Sequence, residues 1–180
     1  MIDDASGDQP ASSVIDRLNF DWITDRLAVG GSFPAGAAER LAAEHDVRAV
    51  IDLREEACDD AAELAGAGVA FLHLPTPDLC AVSASMLDAG VDWARERLAR
   101  GERVLIHCEH GIGRSATLAL CVLAAEGVEP LAALELAKDR REKVSPSPEQ
   151  YECWSAWLRG RGLQPPAFDD FAAVAYRHLR

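Results

Sequence analysis

The stretch "VLIHCEHGIGRSATLALCVLAAEG", Val104 to Gly127, places a loop of reactive residues and glycines between two apolar runs. The first run is apolar at successive positions, which predicts a strand buried on both faces of a parallel sheet. The second run, which begins at Ala116, has the length and composition of a core helix. A loop that joins a central strand to the N-terminus of a helix is a preferred place for ligands in α/β proteins.

Extended and helical patterns alternate along the rest of the chain. The patterns predict two short strands within 20–31 and further strands over 47–53, 69–74 and 103–108. Helices are predicted over 35–46, 55–68, 86–100, 115–127 and 130–144, in the part of 145–160 that follows a Pro/Ser turn, and in the part of 165–180 that follows a Pro-Pro hinge. Ser83 or Ser85 is expected to cap the helix over 86–100. This alternation predicts the α/β class, with a central, mostly parallel sheet flanked by helices on both faces.

Length and composition indicate one globular domain, since the chain has 180 residues, of which 49% are hydrophobic and 27% charged. We expect a short disordered lead over 1–18, a main domain over 19–160, and a C-terminal helix within 161–180 that packs on it or extends from it. The start lacks the pattern of a signal peptide, and the 5 cysteines include no CxxC pair, so we expect a cytoplasmic protein with reduced thiols. A net charge of −12 argues against nucleic acids and anionic membranes as partners.

The loop after the central strand has the composition of an anion site. Two glycines allow a tight curl that turns successive N–H groups toward one point, and the helix that follows adds its own N-terminal N–H groups. The guanidinium of Arg114 supplies a planar fork of donors that suits a tetrahedral oxyanion. The predicted phosphate-binding residues are Glu109, His110, Gly111, Ile112, Gly113 and Arg114.

The same surroundings favour the thiolate form of Cys108, because the helix N-terminus, the inward N–H groups and Arg114 all stabilise negative charge on sulfur. Cys108 is therefore expected to be an activated nucleophile near neutral pH. Ser115 follows the arginine directly, so its hydroxyl is placed to hydrogen-bond the sulfur and stabilise it as a leaving group.

The pattern HCxxGxxRS, His107 to Ser115, resembles the signature of the cysteine-dependent protein tyrosine phosphatases. This resemblance implies that Cys108 attacks phosphorus, that the loop N–H groups and Arg114 hold the phosphoryl oxygens, and that a phosphocysteine is then hydrolysed. It further implies that His107 tunes the thiol and Ser115 assists its departure. No metal or other cofactor is implied.

The family takes a proton donor from an aspartate on a loop about thirty residues upstream, and general acid catalysis of this kind is worth about 10² to 10⁴-fold in rate. Asp78 in "LPTPDLCAVS" stands at that distance, after a predicted strand and inside a proline-containing loop. Asp88 and Asp92 are rivals, although both fall on exposed positions of the following helix. A loop aspartate that only caps or is solvated is the alternative interpretation of Asp78.

The resemblance covers roughly residues 19–160 and fits the dual-specificity branch, which implies phosphotyrosine and also phosphoserine or phosphothreonine in proteins as substrates. "SPSPEQ" only approximates the family's later motif, which puts a water-positioning role for Gln150 in doubt. Glu109 and His110 replace lysines that phosphoinositide-specific members often carry. An acidic Glu109 disfavours a polyanionic head group, so phosphoproteins are expected ahead of lipids.

Other interpretations stay open. The chain has the pattern of an active enzyme, but a phosphate-binding pseudophosphatase that recognises phosphoproteins, a phosphoinositide phosphatase and a rhodanese-type fold are alternatives.

The sequence HCxH, His107 to His110, lacks the second ligand pair of a structural zinc site. Cys58 or Cys80 is a candidate to trap oxidised Cys108 as a disulfide. The run "KDRREK", 138–143, is either a solvated helix end or a source of positive field beside the pocket.

Overall fold

The structure is a computed structural model that describes residues 17–179. Most of the expected lead, 1–16, therefore lies outside the described residues. The strands are β1 Phe20–Trp22, β2 Leu27–Gly30, β3 Val47–Arg54, β4 Ala70–Thr76 and β5 Arg103–His107. The helices are α1 Ala38–His45, α2 Ala61–Gly66, α3 Ala84–Ala99, α4 Arg114–Ala125, α5 Pro130–Arg140, α6 Pro148–Gly160 and α7 Phe168–Ala175, followed by a 3₁₀ turn at Arg177–Leu179.

The strands form one sheet in the order β1-β2-β5-β3-β4, in which only β1 and β2 are antiparallel. The stretch with which the sequence analysis began provides the central strand, and its apolar residues Val104, Leu105 and Ile106 are fully buried. Gly30, His107 and Asp52 are in register on three adjacent strands. The carboxyl ends of these parallel strands therefore meet at one edge of the sheet.

Helices cover both faces of the sheet. Val104 and Ile106 point into the larger core, which contains α3 to α7, whereas Leu105 points into a smaller core with α1 and α2. Helix α4 packs against α3, α5 and α6 and is buried on all sides, as its almost wholly apolar sequence predicts. The predicted α/β fold with helices on both faces is confirmed, and Ser83 caps α3 by accepting a hydrogen bond from the Met86 N–H.

Two of the predicted helices are shortened beside the loop after β5. The helix predicted over 55–68 begins only at Ala61, because the carboxylate of Asp60 caps it by accepting from the N–H groups of Ala62 and Glu63. The helix predicted over 130–144 ends at Arg140. The segments 55–60 and 141–147 are loops. The second contacts the loop after β5, and the first contacts His107 and Arg114, the residues on either side of that loop.

The C-terminal residues fold back onto the main body. Phe171 on α7 is fully buried, and its ring lies against those of Tyr151, Trp154, Phe168 and Tyr176 at centroid distances of 4.7 to 6.2 Å. Within residues 17–179, no helix has both the length and the apolar character needed to cross a bilayer.

Replacing Phe171 with alanine is expected to lower the free energy of unfolding by about 3–5 kcal/mol, because the change leaves a cavity between α6 and α7. Phe168→Ala is the matched control, since that ring is 41% exposed and its loss leaves no comparable cavity. Urea denaturation of the two variants checks this. Equal losses would show that α7 does not depend on the buried ring.

Candidate active site

The loop after β5 turns sharply between Cys108 and the start of α4 at Arg114. Gly111 has a φ of +68°, and a Cβ atom at this position would lie only 2.4 Å from the carbonyl carbon of Gly30. At Gly113 a Cβ atom would lie 2.3 Å from Gln150 Oε1. Both glycines are therefore required by close approaches, the first also by its left-handed backbone.

The N–H and carbonyl groups of this loop differ in their hydrogen bonding. Within residues 17–179, no N–H group from Glu109 to Arg114 donates a hydrogen bond to another protein group. Each carbonyl from Glu109 to Gly113 instead accepts a hydrogen bond of 2.8 to 3.0 Å from a donor outside the loop. Taken in the chain order of the carbonyls, the donors are Ser32 N, Arg141 Nη2, Arg141 Nε, Ser145 N and Thr117 N. Unbonded N–H groups in a tight curl form a nest for an anion.

The sulfur of Cys108 lies at this loop. The side chain is 3% exposed and lines a pocket of about 100 Å³. Ser115, which is fully buried, has its Oγ 3.3 Å from Cys108 Sγ. Cys108, Ser115 and the loop backbone are thus brought together as the sequence predicts.

Arg114 is 1% exposed and its guanidinium is held in one orientation. Nη1 donates to Glu56 Oε2 and to the Thr76 carbonyl, both at 2.8 Å, while Nη2 lies 2.7 Å from Glu56 Oε1 and 3.1 Å from Asp78 Oδ1. The Nε atom is buried and unpartnered within the described residues. Burial works against the charge of Arg114, yet the hydrogen bonds to Glu56 raise its pKa.

Asp78 reaches the pocket from the loop after β4. Three contacts from 147–150 hold this loop: Ser147 Oγ donates to the Leu79 carbonyl at 3.3 Å, Gln150 Nε2 donates to the Cys80 carbonyl at 3.2 Å, and Glu149 Oε1 accepts from Ala81 N at 3.2 Å. Asp78 lines the same pocket as Cys108 and Arg114, and so does Gln150. The sequence left a water-positioning role for Gln150 in doubt, but the structure does place this residue at the pocket.

The rival aspartates have other surroundings. Asp88 on α3 accepts from Trp157 Nε1 at 3.0 Å and forms an ion pair with Arg161, so it ties α3 to α6. Asp92 is exposed on α3, and neither residue lines the pocket. The geometry favours Asp78 as the acid.

His107 is buried behind the pocket. Its Nε2 lies 2.6 Å from Asp59 Oδ2, its Nδ1 lies 3.3 Å from the Cys108 carbonyl, and its ring packs on Phe33. Asp59 is provided by the 55–60 loop that the sequence assigned to a helix. A buried hydrogen bond to a carboxylate fixes the imidazole ring, and with it the start of the loop after β5, 108–113, which is called the phosphate loop below.

The described part of the chain contains two clusters of possible metal ligands, and both include Asp52. One cluster adds Asp59 and His107, and the other adds Cys58 and His73. Arg54 already donates to both oxygens of Asp52 at 2.9 and 3.0 Å and to Asp59 at 2.6 Å. A cation would have to displace this guanidinium. The geometry therefore favours an ion-pair network at these carboxylates over a metal site.

The five cysteines are all free thiols. Burial and the neighbouring Asp52 and Asp59 raise the pKa of Cys58, which disfavours attack by its sulfur. A disulfide between Cys108 and Cys58 or Cys80 stays a prediction.

Sequence reasoning missed Glu56 and Arg141. Arg141, in the run "KDRREK", is buried under the phosphate loop, where its guanidinium also donates to Asp21 Oδ2 and Asn19 Oδ1 at 2.7 and 2.9 Å. Lys138 is also buried: it donates to the Val144 carbonyl and to Ser145 Oγ, and burial lowers its pKa to about 8. These two cations are thus not part of a solvated helix end. For Glu56, the available signal was a run of charged residues directly after a parallel strand.

Arg141→Lys is expected to weaken binding of tungstate, a phosphate analogue, by about tenfold or more. A lysine keeps the charge but has three donors on one nitrogen, too few for the four groups that Arg141 binds. A buried hydrogen-bonding group left unpaired costs about 1–3 kcal/mol. Isothermal titration calorimetry measures the affinity. Arg140→Lys, at an exposed neighbouring position, is the control. Identical affinities in the two variants would remove Arg141 from a positioning role.

A second prediction concerns pH. The hydrogen bonds to Arg114 lower the pKa of Glu56 from 4.5 to about 2. Because the folded state binds this proton less readily than the unfolded state, the stabilisation is present above pH 4.5 and is lost as the pH falls toward 2. The difference in unfolding free energy between wild type and Glu56→Gln, measured by denaturation at several pH values, should shrink over this range. The exposed neighbour Glu55→Gln serves as control, and a difference that does not change with pH would contradict the ion pair.

Comparison with known proteins agrees with this geometry. A family model described as the DSP-PTPase phosphatase of a polymorphic toxin system matches residues 30–128. The Mus musculus protein "Phosphatidylglycerophosphatase and protein-tyrosine phosphatase 1" is 32% identical over 142 residues, which cover 73% of this chain and 74% of the relative. The Homo sapiens protein of the same name is 31% identical over 116 residues, covering 59% and 58%.

Solved structures show the same fold. PTPMT1 in complex with PI(5)P superposes with a TM-score of 0.73 at 28% identity, over 78% of this chain and 95% of that one. Tk-PTP in its active form gives 0.72 at 30% identity, over 78% and 97%. Human DUSP28, at 0.71 and 20% identity over 81% and 97%, supports the fold alone. The chain therefore belongs to the cysteine-dependent protein tyrosine phosphatase superfamily and is a phosphatase of the dual-specificity type.

Proposed function

We propose that this chain hydrolyses phosphate monoesters on protein side chains through a phosphocysteine at Cys108. One observation carries the proposal: the carbonyls of the loop are bound from outside, and its N–H groups, unbonded among the described residues, belong to a loop that lines one pocket with Cys108. Preorganised donors of this kind stabilise the charge of a phosphoryl group in the transition state without reorganisation.

Binding of the phosphoryl group uses the loop and Arg114 together. The Nη1 group is fully engaged by Glu56 and the Thr76 carbonyl, so it fixes the guanidinium plane. The buried Nε–H is free to donate to a phosphoryl oxygen. A second oxygen competes with Asp78 for Nη2, which leaves the Asp78 carboxyl at the pocket beside the leaving group.

The reaction then proceeds in two displacements. In the first, Cys108 Sγ bonds to phosphorus, the bond from phosphorus to the ester oxygen breaks, and the Asp78 carboxyl gives its proton to that oxygen. In the second, the Asp78 carboxylate takes a proton from water, the water oxygen bonds to phosphorus, and the sulfur–phosphorus bond breaks. The departing thiolate accepts a hydrogen bond from Ser115 Oγ, which lies 3.3 Å away.

Charge around the pocket supports a protein substrate. Four carboxylates line a depression beside the pocket, namely Glu55, Glu56, Asp78 and Glu109. The chain as a whole carries a net charge of −12. These charges repel a polyanionic head group, whereas a peptide with neutral or basic residues near its phosphate is tolerated.

A phospholipid phosphatase is the second candidate. The names of the curated relatives include a phosphatidylglycerophosphatase, and PTPMT1 has been crystallised with PI(5)P. A binding-only pseudophosphatase is less well supported, because Cys108, Arg114 and Asp78 all line one pocket.

The test measures hydrolysis of a phosphotyrosine peptide in the presence of EDTA. Cys108→Ser is expected to abolish turnover, because a hydroxyl is a far weaker nucleophile than a thiolate. Asp78→Asn is expected to lower kcat by about 10² to 10⁴-fold, with a smaller loss on p-nitrophenyl phosphate, whose leaving group needs less protonation.

Asp92→Asn, an exposed aspartate on α3, is the matched control and should retain wild-type rates. Activity that survives Cys108→Ser would exclude the phosphocysteine route. Faster turnover of phosphatidylglycerophosphate or PI(5)P than of every phosphopeptide tested would favour the second candidate.

A further inference from the structure

Lys138 is a buried cation that packing alone does not require. Its side chain is fully buried, and within residues 17–179 no carboxylate lies within ion-pair distance of its Nζ atom. Burial of a charge without a counter-ion is costly, and well-packed apolar residues in place of buried charges are often neutral or stabilising for the fold. The lysine is therefore better explained by the groups that it binds.

The ammonium group of Lys138 joins two segments of the chain. Its Nζ donates to the Val144 carbonyl at 2.9 Å and to Ser145 Oγ at 3.2 Å, and it lies 2.8 Å from His178 Nδ1. An ammonium has three hydrogens and no lone pair, so these three groups accept all of its hydrogen bonds. An apolar side chain at position 138 would leave the two segments unconnected at this point.

Residues 175–178, called the C-terminal turn below, make two further hydrogen bonds to the loop 141–147. Ser145 Oγ donates to the Ala175 carbonyl at 3.1 Å, and Tyr176 Oη donates to the Pro146 carbonyl at 2.7 Å. The loop contains no helix or strand of its own, so its position depends on contacts of this kind. The C-terminal turn and Lys138 thus fix one side of the loop 141–147.

The other side of the loop 141–147 holds the phosphate loop. Ser145 N donates to the Ile112 carbonyl at 2.9 Å. The guanidinium of Arg141 donates to the carbonyls of His110 and Gly111 at 3.0 and 2.8 Å. Because these bonds orient the peptide groups of the phosphate loop, a shift of the loop 141–147 also shifts the N–H groups that face away from it.

We propose that Lys138 is a positioning residue that couples the C-terminal turn to the phosphate loop, so that tight binding of a phosphoryl group requires residues 175–178 in place. The inference rests on the proposed function only in that the phosphate loop binds the phosphoryl oxygens. It applies equally to a peptide and to a lipid substrate, because both carry the same phosphoryl group.

Ser145 is the point at which the coupling passes from one side to the other. Its N–H holds Ile112, while its hydroxyl accepts from Lys138 and donates to Ala175. Loss of the contacts on the hydroxyl side frees the backbone of the loop 141–147 to move. Donors that are no longer held in advance must be ordered when the anion binds, and this ordering lowers affinity.

The first experiment replaces Lys138 with methionine, an apolar side chain of similar length that fills the buried site without donating hydrogen bonds. Tungstate affinity, measured by calorimetry, should fall about tenfold because the loop donors lose their support. Lys143→Met is the matched control: it removes the same charge from the same run of residues but at an exposed position, so its affinity should equal that of wild type. Urea denaturation shows that each variant is folded at the temperature of the binding measurement.

The second experiment approaches the coupling from the C-terminal turn and does not depend on a change in the core. Tyr176→Phe removes only the hydroxyl that donates to Pro146, and it should weaken tungstate binding about threefold. Tyr151→Phe is the matched control, since its hydroxyl donates to the Pro166 carbonyl at 2.8 Å, away from the loop 141–147. The two variants lose the same kind of bond, but only Tyr176→Phe should change the affinity.

A double variant distinguishes coupling from general destabilisation. If Lys138 and Tyr176 act through the same loop, the loss of tungstate affinity in Lys138→Met/Tyr176→Phe should be smaller than the two single losses combined. The same non-additivity is expected in kcat/KM for p-nitrophenyl phosphate. Independent losses that combine fully would contradict a shared route through the loop 141–147.

The inference and the proposed function fail on different results. Wild-type affinity in Lys138→Met, or equal weakening by Tyr176→Phe and Tyr151→Phe, would overturn the coupling and leave the proposed function intact. If wild type itself binds no tungstate and hydrolyses no phosphate ester, the phosphate loop does not bind phosphoryl groups, and both fail.

Discussion

The backbone carbonyls from Glu109 to Gly113 are each bound by a donor outside the loop, and this arrangement leaves the N–H groups from Glu109 to Arg114 without a protein acceptor among the described residues. A short loop with two glycines has many conformations, and most of them would pair these groups differently or expose them to water. The donors that select this one come from the residues after β2, from α4 and from the segment 141–147. The catalytic geometry is thus held from behind by parts of the chain far apart in sequence.

The charged side chains around the site are also fixed by contacts with other parts of the chain. The chain is acidic overall, yet three arginines are buried or nearly so around the site, namely Arg54, Arg114 and Arg141. Each is paired with carboxylates: Arg54 with Asp52 and Asp59, Arg114 with Glu56, and Arg141 with Asp21. Pairing and hydrogen bonding offset the cost of taking a charge out of water. They also fix the direction of each guanidinium, so that on Arg114 the Nε–H stays available.

The pocket joins two loops with different functions. The phosphate loop recognises a group that every phosphate monoester shares, so it carries little information about the substrate. The loop of Asp78 is a separate segment that reaches the same pocket, and its position depends on hydrogen bonds from the segment 147–150. The two loops are therefore held in place by different parts of the chain.

Local pattern was enough to predict the α/β fold, the central strand at 103–108, the anion loop and the buried helix after it, because hydrophobic periodicity and glycine placement act over a few residues. The loop could also be matched to a family by its motif, and the distance of Asp78 from Cys108 was enough to predict that it lies at the same pocket. The residues 55–60 were misassigned, since their helical composition was overridden by the Asp60 cap and by contacts with Arg114 and His107.

Only the tertiary structure decided that Glu56 orients Arg114, that Arg141 holds the phosphate loop from behind, and that residues 147–150 hold the loop of Asp78. Each of these depends on a contact between segments tens of residues apart, which no periodic pattern in the sequence predicts. The chemistry of the site is thus determined by the adjacent residues His107 to Ser115. Its geometry is set where the parallel strands end at one edge of the sheet and bring separate loops together.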